Sequence, residues 1–220
     1  MSSITENILQ LKKEIPEHIS LIAVSKTKPN EDILEAYQTG HRIFGENKIQ
    51  EMVDKHEQLP KDIEWHMIGH VQRNKVKYMA PFVHLIHAVD SLKLLKEVNK
   101  RAAQNKRSIN CLLQVKIAEE DSKFGLDIDS AKEILISKAY AEMDNVKIIG
   151  LMGMATFTED ENQIEQEFAY LQKHFKALQK EYPQLQTLSM GMSGDYQIAI
   201  RNGSNMIRVG SSIFGERNYH

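Results

Sequence analysis

Eight short apolar runs, each followed by a stretch with helical or turn character, leave few folds open to this chain. The runs lie at 19–26, 42–45, 64–69, 83–89, 109–117, 146–152, 186–189 and 206–209. Between them, Ile33, Leu34 and Tyr37 recur at helical spacing, as do Leu92, Leu95, Val98 and Ala102. Further on, Ile164, Phe168, Leu171, Phe175, Leu178 and Tyr182 step by four and three residues. Short apolar strands alternating with helices imply a parallel α/β sheet covered on both faces. Eight such units in 220 residues fit a closed (β/α)8 TIM barrel, with an open doubly wound sheet as the rival. An extra N-terminal helix opens the chain, with Ser3-Ile4-Thr5-Glu6 as a capping box and Ile4, Ile8, Leu11 and Ile15 on one face. No repeat or linker interrupts the pattern, so residues 1–220 read as a single domain.

Local signals set the element boundaries. Asn30 is expected to cap the second helix and Gly40 to stop it. A basic helix is predicted over 73–79, ended by Pro81. Asp90 or Ser91 caps the next, a further helix starts near Asp129, Pro183 closes the longest, and a short helix is predicted over 193–202.

Composition excludes several function classes. The net charge is −2, so no global basic field attracts nucleic acid. No apolar stretch is long enough to span a bilayer, and 1–6 lack the pattern of a signal peptide. The single cysteine, Cys111, fits a reducing cytoplasm and reads as a buried, inert thiol in the fifth strand.

In a barrel of this kind the active site lies at the C-terminal ends of the strands. Lys26 ends the first run, ahead of Thr27-Lys28-Pro29. Burial disfavours an ammonium, and a lysine with a lowered pKa forms Schiff bases with aldehydes. Glu46 and Asn47 follow the second run, His66 and Gly69 close the third, and Met152 and Gly153 end the sixth. Ser193 and Gly194 follow the seventh, and Arg208, Gly210 and Ser211 end the eighth. The last two loops resemble a phosphate cradle. Gly191, Gly194 and Gly210 allow close backbone approach, Ser193 and Ser211 add hydroxyls, and Ser193 precedes a helix whose N-terminus favours an anion. A Schiff-base lysine with a phosphate site points to pyridoxal 5′-phosphate (PLP). Arg208 would face the cofactor's ring nitrogen, where it cannot accept a proton, leaving a weaker electron sink.

Other groups read as ordinary. His66 and His70 straddle a strand end, and His84 and His87 should face opposite sides of their strand, so no metal site is expected. Lys55 and Lys61 read as solvated surface. Glu119, Glu120 and Asp121 read as a solvated loop. The patch Arg73-Asn74-Lys75-Val76-Lys77 is surface charge, or a dock for an acidic partner such as a PLP-requiring apo-enzyme. Spacing leaves open whether Lys28 or Lys123 offers a second PLP site.

Several segments together resemble the PLP homeostasis protein family, the alanine racemase N-terminal-domain-like barrels. They are Ala23-Val24-Ser25-Lys26-Thr27-Lys28-Pro29, Phe44-Gly45-Glu46-Asn47, Glu64-Trp65-His66-Met67-Ile68-Gly69, Gln72-Arg73-Asn74-Lys75, Gly150-Leu151-Met152-Gly153-Met154, Leu188-Ser189-Met190-Gly191-Met192-Ser193 and Ile207-Arg208-Val209-Gly210. The resemblance implies a fold-type III PLP-binding barrel with Lys26 as the Schiff-base residue. It implies phosphate contacts from Ser193, Gly194, Gly210 and Ser211, Arg208 beside the pyridine nitrogen, and Asn47, His66 and Met152 lining the same mouth. Two positions depart from the family's habit: His70 follows the third-strand glycine, and Ser211 stands where Thr is common. The implied role is a monomeric, non-catalytic PLP carrier in vitamin B6 homeostasis, with indirect effects on amino- and keto-acid pools. The alternative is a weak PLP-dependent amino-acid racemase. Family racemases take a second base, a tyrosine, from another domain. Tyr219 is a conceivable substitute, though a terminal residue is expected to be mobile.

Overall fold

The structure, a computed structural model, describes residues 3–119 and 124–216. Eight parallel strands close into a barrel in sequence order. They are β1 (Ser20–Val24), β2 (Ile43–Glu46), β3 (Glu64–Met67), β4 (Leu85–Val89), β5 (Ile109–Gln114), β6 (Val146–Met152), β7 (Thr187–Ser189) and β8 (Met206–Val209). The barrel closes where β1 pairs with β8, from Ser20 opposite Met206 to Ala23 opposite Val209. The doubly wound alternative is thereby excluded.

Helices α1 (Ile4–Glu14), α2 (Asn30–Gln38) and α3 (Ile49–Gln58) come first. A 3-10 turn at Arg73–Lys75 runs into α4 (Val76–Met79), and α5 (Leu92–Gln104) and α6 (Ile128–Ile136) follow. Then come α7 (Lys138–Ala141), α8 (Glu161–Glu181), α9 (Tyr196–Arg201) and α10 (Ser211–Phe214). The capping box at Ser3 and Glu6 forms as expected, and Ser91 caps α5 through the Leu94 N–H. Asn30 does not cap α2. The cap position is Pro29, and the Asn30 amide instead donates to Gln58 Oε1 at 2.8 Å. The predicted basic helix is half 3-10, and α7 and α10 are additions to the expected set.

Two apolar layers form. The larger lies between strands and helices and includes Phe44, Trp65, Ile86, Phe168 and Leu171, all fully buried. The smaller fills the barrel interior with Ile22, Leu85, Ala88, Leu112, Met152 and Met206. The N-terminal helix has a clear task. The helix after β8 is only four residues long, too short to cover the closing seam. Helix α1 takes that place: Asn7 donates to the Ile213 carbonyl of α10 at 2.9 Å, and the Thr5 N–H donates to Glu35 of α2 at 2.9 Å.

Candidate functional site

Strand β1 ends at Val24, so Lys26 stands two residues beyond it in a tight turn. The Lys28 N–H donates to the Ser25 carbonyl at 3.0 Å, closing the turn with Lys26 and Thr27 at its corner. Thr27 has φ +65°, a conformation that β-branched residues rarely adopt. Ser25 is fully buried, and its hydroxyl donates to Glu46 Oε1 at 2.6 Å. The Lys28 ammonium donates to the Phe214 carbonyl at the end of α10, at 2.8 Å.

Opposite this turn, the loops after β7 and β8 meet directly. The Gly210 N–H donates to Ser193 Oγ at 3.1 Å. The Ser193 hydroxyl proton therefore remains to donate elsewhere. Gly194 is exposed with open space where a Cβ would stand, and Ser211 is exposed at the start of α10. Gly191 has φ +96°, and a Cβ there would meet the Tyr196 Cα at 2.8 Å, so this turn needs glycine. One expectation changes: α9 starts at Tyr196 behind Asp195, so Ser193 lies in the preceding turn rather than at the helix cap. Asp195 accepts from the Met192 N–H and fixes that turn.

Arg208 lies in β8, 3 % exposed, on the barrel axis side. Its guanidinium donates to the Ser189 hydroxyl at 2.6 Å, the Ser189 carbonyl at 3.1 Å and the Gly153 carbonyl at 3.0 Å. Burial lowers its pKa to about 10, against the opposing pull of Asp195, so it remains a cation at neutral pH. Ser189 continues into a buried chain: His87 Nδ1 lies 3.2 Å from Ser189 Oγ, and His87 Nε2 lies 3.0 Å from His66 Nδ1. Burial depresses both imidazoles, His66 to about 3 and His87 well below its ordinary value. Both are therefore neutral hydrogen-bond relays under Arg208.

Of the nine expected site residues, Lys26, Asn47, Ser193, Gly194, Gly210 and Ser211 stand at the C-terminal strand ends. Arg208, His66 and Met152 are deeper and form the floor; Met152 is fully buried in the inner apolar cluster. His66 and Met152 thus lie beneath the mouth that Asn47 borders. Asn47 presents a buried Oδ1 with no hydrogen-bond partner among the described residues. Gly69 is glycine because the backbone passes Asn47: a Cβ would lie 2.4 Å from the Asn47 carbonyl oxygen. His70 pairs with Asp90 at 3.2 Å and stacks on Phe124, which settles the shape of that departure.

Two sequence readings fail. Lys55 is not solvated: it is 6 % exposed and donates to the Ser25 carbonyl, Glu46 and Glu51. His84 and His87 do not separate as expected: both rings lie near His66, with centroids 5.6 and 5.2 Å away. Glu64, His66 and His84 also gather ligand atoms within 4.8 Å. The His66 and His84 rings are stacked at 9° with centroids 5.6 Å apart. Missed altogether were His87 and Ser189 as floor residues. Lys61 is exposed and Cys111 is fully buried with its thiol pushed up to about 12, both as expected. Glu120, Asp121, Lys123 and Tyr219 lie outside the described residues.

Residues 1–218 match the sequence profile described as alanine racemase, N-terminal domain. The chain belongs to that family. Within it, a Pyridoxal phosphate homeostasis protein of Aquifex aeolicus is 40% identical over 201 residues, covering 90% of this chain and 87% of the relative. The protein of the same name from Escherichia coli K12 is 35% identical over 236 residues, covering 100% and 99%. Among solved structures, PipY of Synechococcus elongatus with PLP bound superposes at a TM-score of 0.88. It is 35% identical and covers 97% of this chain and 100% of that one. An alanine racemase of Clostridium difficile 630 superposes at 0.82 with 13% identity, covering 98% of this chain and 57% of that one; this likeness is one of fold alone.

Proposed function

We propose that this chain holds PLP at the barrel mouth through Lys26, as a monomeric cytoplasmic carrier in vitamin B6 homeostasis that turns over no substrate of its own. The observation that carries this reading is the meeting, at one end of one barrel, of the Lys26 turn, the Ser193–Gly210 clasp and the buried Arg208. Its membership beside relatives named for PLP homeostasis supports the same role.

The residues fit the cofactor. Ser193 keeps a hydroxyl proton to donate, the backbone at Gly194 is open, and Ser211 is exposed at the same loops, which together suit a phosphate. Asn47 Oδ1, buried and without a hydrogen-bond partner among the described residues, is an acceptor waiting for a donor. PLP supplies an aldehyde that condenses with an amine and a ring that withdraws electrons. Lys26 provides the amine. Arg208 offers only N–H donors and accepts no hydrogen bond from a protonated ring nitrogen, so it favours an unprotonated one, which restrains carbanion chemistry at this site. The guanidinium's hydrogen bonds go to Ser189 and the Gly153 carbonyl. Tyr196, beside the phosphate loops, directs its hydroxyl to Glu14 of α1 at 3.2 Å, away from a role as second base. Receipt of PLP by apo-enzymes fits the exposed Arg73 and Asn74, which share a groove with Lys93, Lys96, Glu97 and Lys100.

Gel filtration after incubation with PLP tests the binding, and incubation with L-alanine in D2O tests for turnover. The expected result is PLP retained by the wild type and lost from Lys26→Ala, with no deuterium at the amino-acid Cα. Lys26-dependent deuterium incorporation and D-alanine would establish the racemase alternative instead.

A further inference from the structure

We infer that Lys55, acting with Glu46 and Glu51, is a positioning residue that holds the strained turn from which Lys26 projects. The inference rests on the PLP reading above and names how that site is kept in shape.

Thr27 at φ +65° is a backbone conformation that persists only where the surroundings over-determine it. The surroundings here do so from both sides of Lys26. Before it, the Ser25 carbonyl accepts from the Lys55 ammonium at 2.8 Å, and the Ser25 hydroxyl donates to Glu46 at 2.6 Å. After it, the Thr27 N–H donates to Glu51 Oε1 at 2.5 Å. Lys55 joins the two pins, donating to Glu46 Oε1 at 2.8 Å and to Glu51 Oε1 at 2.7 Å. Its three ammonium protons are thereby matched to three acceptors. The Ser25 carbonyl uses both lone pairs, one for Lys55 and one for the Lys28 N–H that closes the turn.

A lysine whose task was only to anchor α3 to β2 would need Glu46 alone. Two further bonds, one to Ser25 and one to the carboxylate that holds Thr27, address the turn itself. The ammonium is nearly fully buried and Glu46 is wholly so, so the Ser25 and Glu46 bonds are shielded from competing water, while the Thr27–Glu51 bond lies at the surface. Lys28 extends the arrangement to the other half of the site, since its own ammonium donates to the Phe214 and Gly215 carbonyls behind the phosphate loop.

The test uses amide hydrogen exchange on PLP-free protein together with PLP dissociation rates. Lys55→Met is expected to speed exchange at the Lys28 amide and to speed PLP loss, each about tenfold, while β5 amides keep their protection. Glycine takes positive φ without strain, so adding Thr27→Gly is expected to restore both values towards wild type. A purely structural lysine would not respond to that second change. Wild-type exchange and PLP loss in Lys55→Met, or no restoration by Thr27→Gly, would overturn the inference. Should Lys55→Met not fold, Glu51→Ala removes the Thr27 acceptor at a partly exposed position and carries the same two expectations. If the wild type binds no PLP, the carrier reading fails, and the exchange measurements decide the positioning role by themselves.

Discussion

Glu46 shows how one carboxylate is set by what surrounds it. Burial raises its pKa from 4.5 to about 7, with Lys55 and the Ser25 hydroxyl pulling the other way. A folded-state pKa above the unfolded one means the folded chain binds the extra proton between pH 4.5 and about 7. Stability from this group is therefore full below that window and falls as pH rises through it. Denaturant titrations across that window should show wild type losing on the order of 3 kcal/mol relative to Glu46→Gln; parallel curves would contradict the assignment. His66 works in the opposite sense. Its folded pKa of about 3 lies below 6.5, so its contribution is present above pH 6.5 and is lost on acidification. Comparison with the Gln variant cancels that background. Cys111 is expected to resist thiol reagents in the native protein and to react only on unfolding. Lys26 and Arg208 were legible because each stands where an apolar strand ends or turns inward. Lys55 was not read, although the signal existed: it follows Met52 by three and precedes Leu59 by four, on the buried stripe of α3. A lysine on such a stripe is a partnered lysine. Ser189 and His87 were harder, because inward-facing polar residues declare themselves only once the closed barrel sets which strands share a layer.

At the scale of elements, apolar runs mark strands well and overrun their ends. Runs six and eight coincide with β6 and β8, whereas the first run extends past β1 to include the turn that carries Lys26. The sequence pattern cannot separate these, since a buried turn residue and a buried strand residue look alike in apolarity. Helices of four residues, such as α4, α7 and α10, are too short to display a period. Helix α1 was visible through its capping box, yet its purpose was not, because covering the β1–β8 seam is a consequence of closure and of the brevity of α10. Ile8 is fully buried on that helix. Ile8→Ala should cost about 2–5 kcal/mol in equilibrium unfolding and should speed amide exchange in β8 before β4. A loss under 1 kcal/mol would mean that α1 is an ornament to the barrel.

For the whole molecule, closure in sequence order is what turns scattered residues into a site. The turn after β1 and the loops after β7 and β8 are separated by more than 160 positions in the chain, and the β1–β8 pairing makes them neighbours. Charge, size and alternation sufficed to reach the barrel. The loops proposed to hold phosphate were picked out by glycines and serines at those strand ends. The floor beneath them, with neutral histidines hydrogen-bonded through Ser189 to a buried arginine, came only from three dimensions. The central claim is that Lys26 holds PLP, and the absorbance spectrum tests it most directly. Wild type and Lys26→Ala should be scanned before and after PLP is added. The account predicts a near-visible band in the wild type, distinct from free PLP and absent from the variant. A wild type that gains no such band in excess PLP would contradict it.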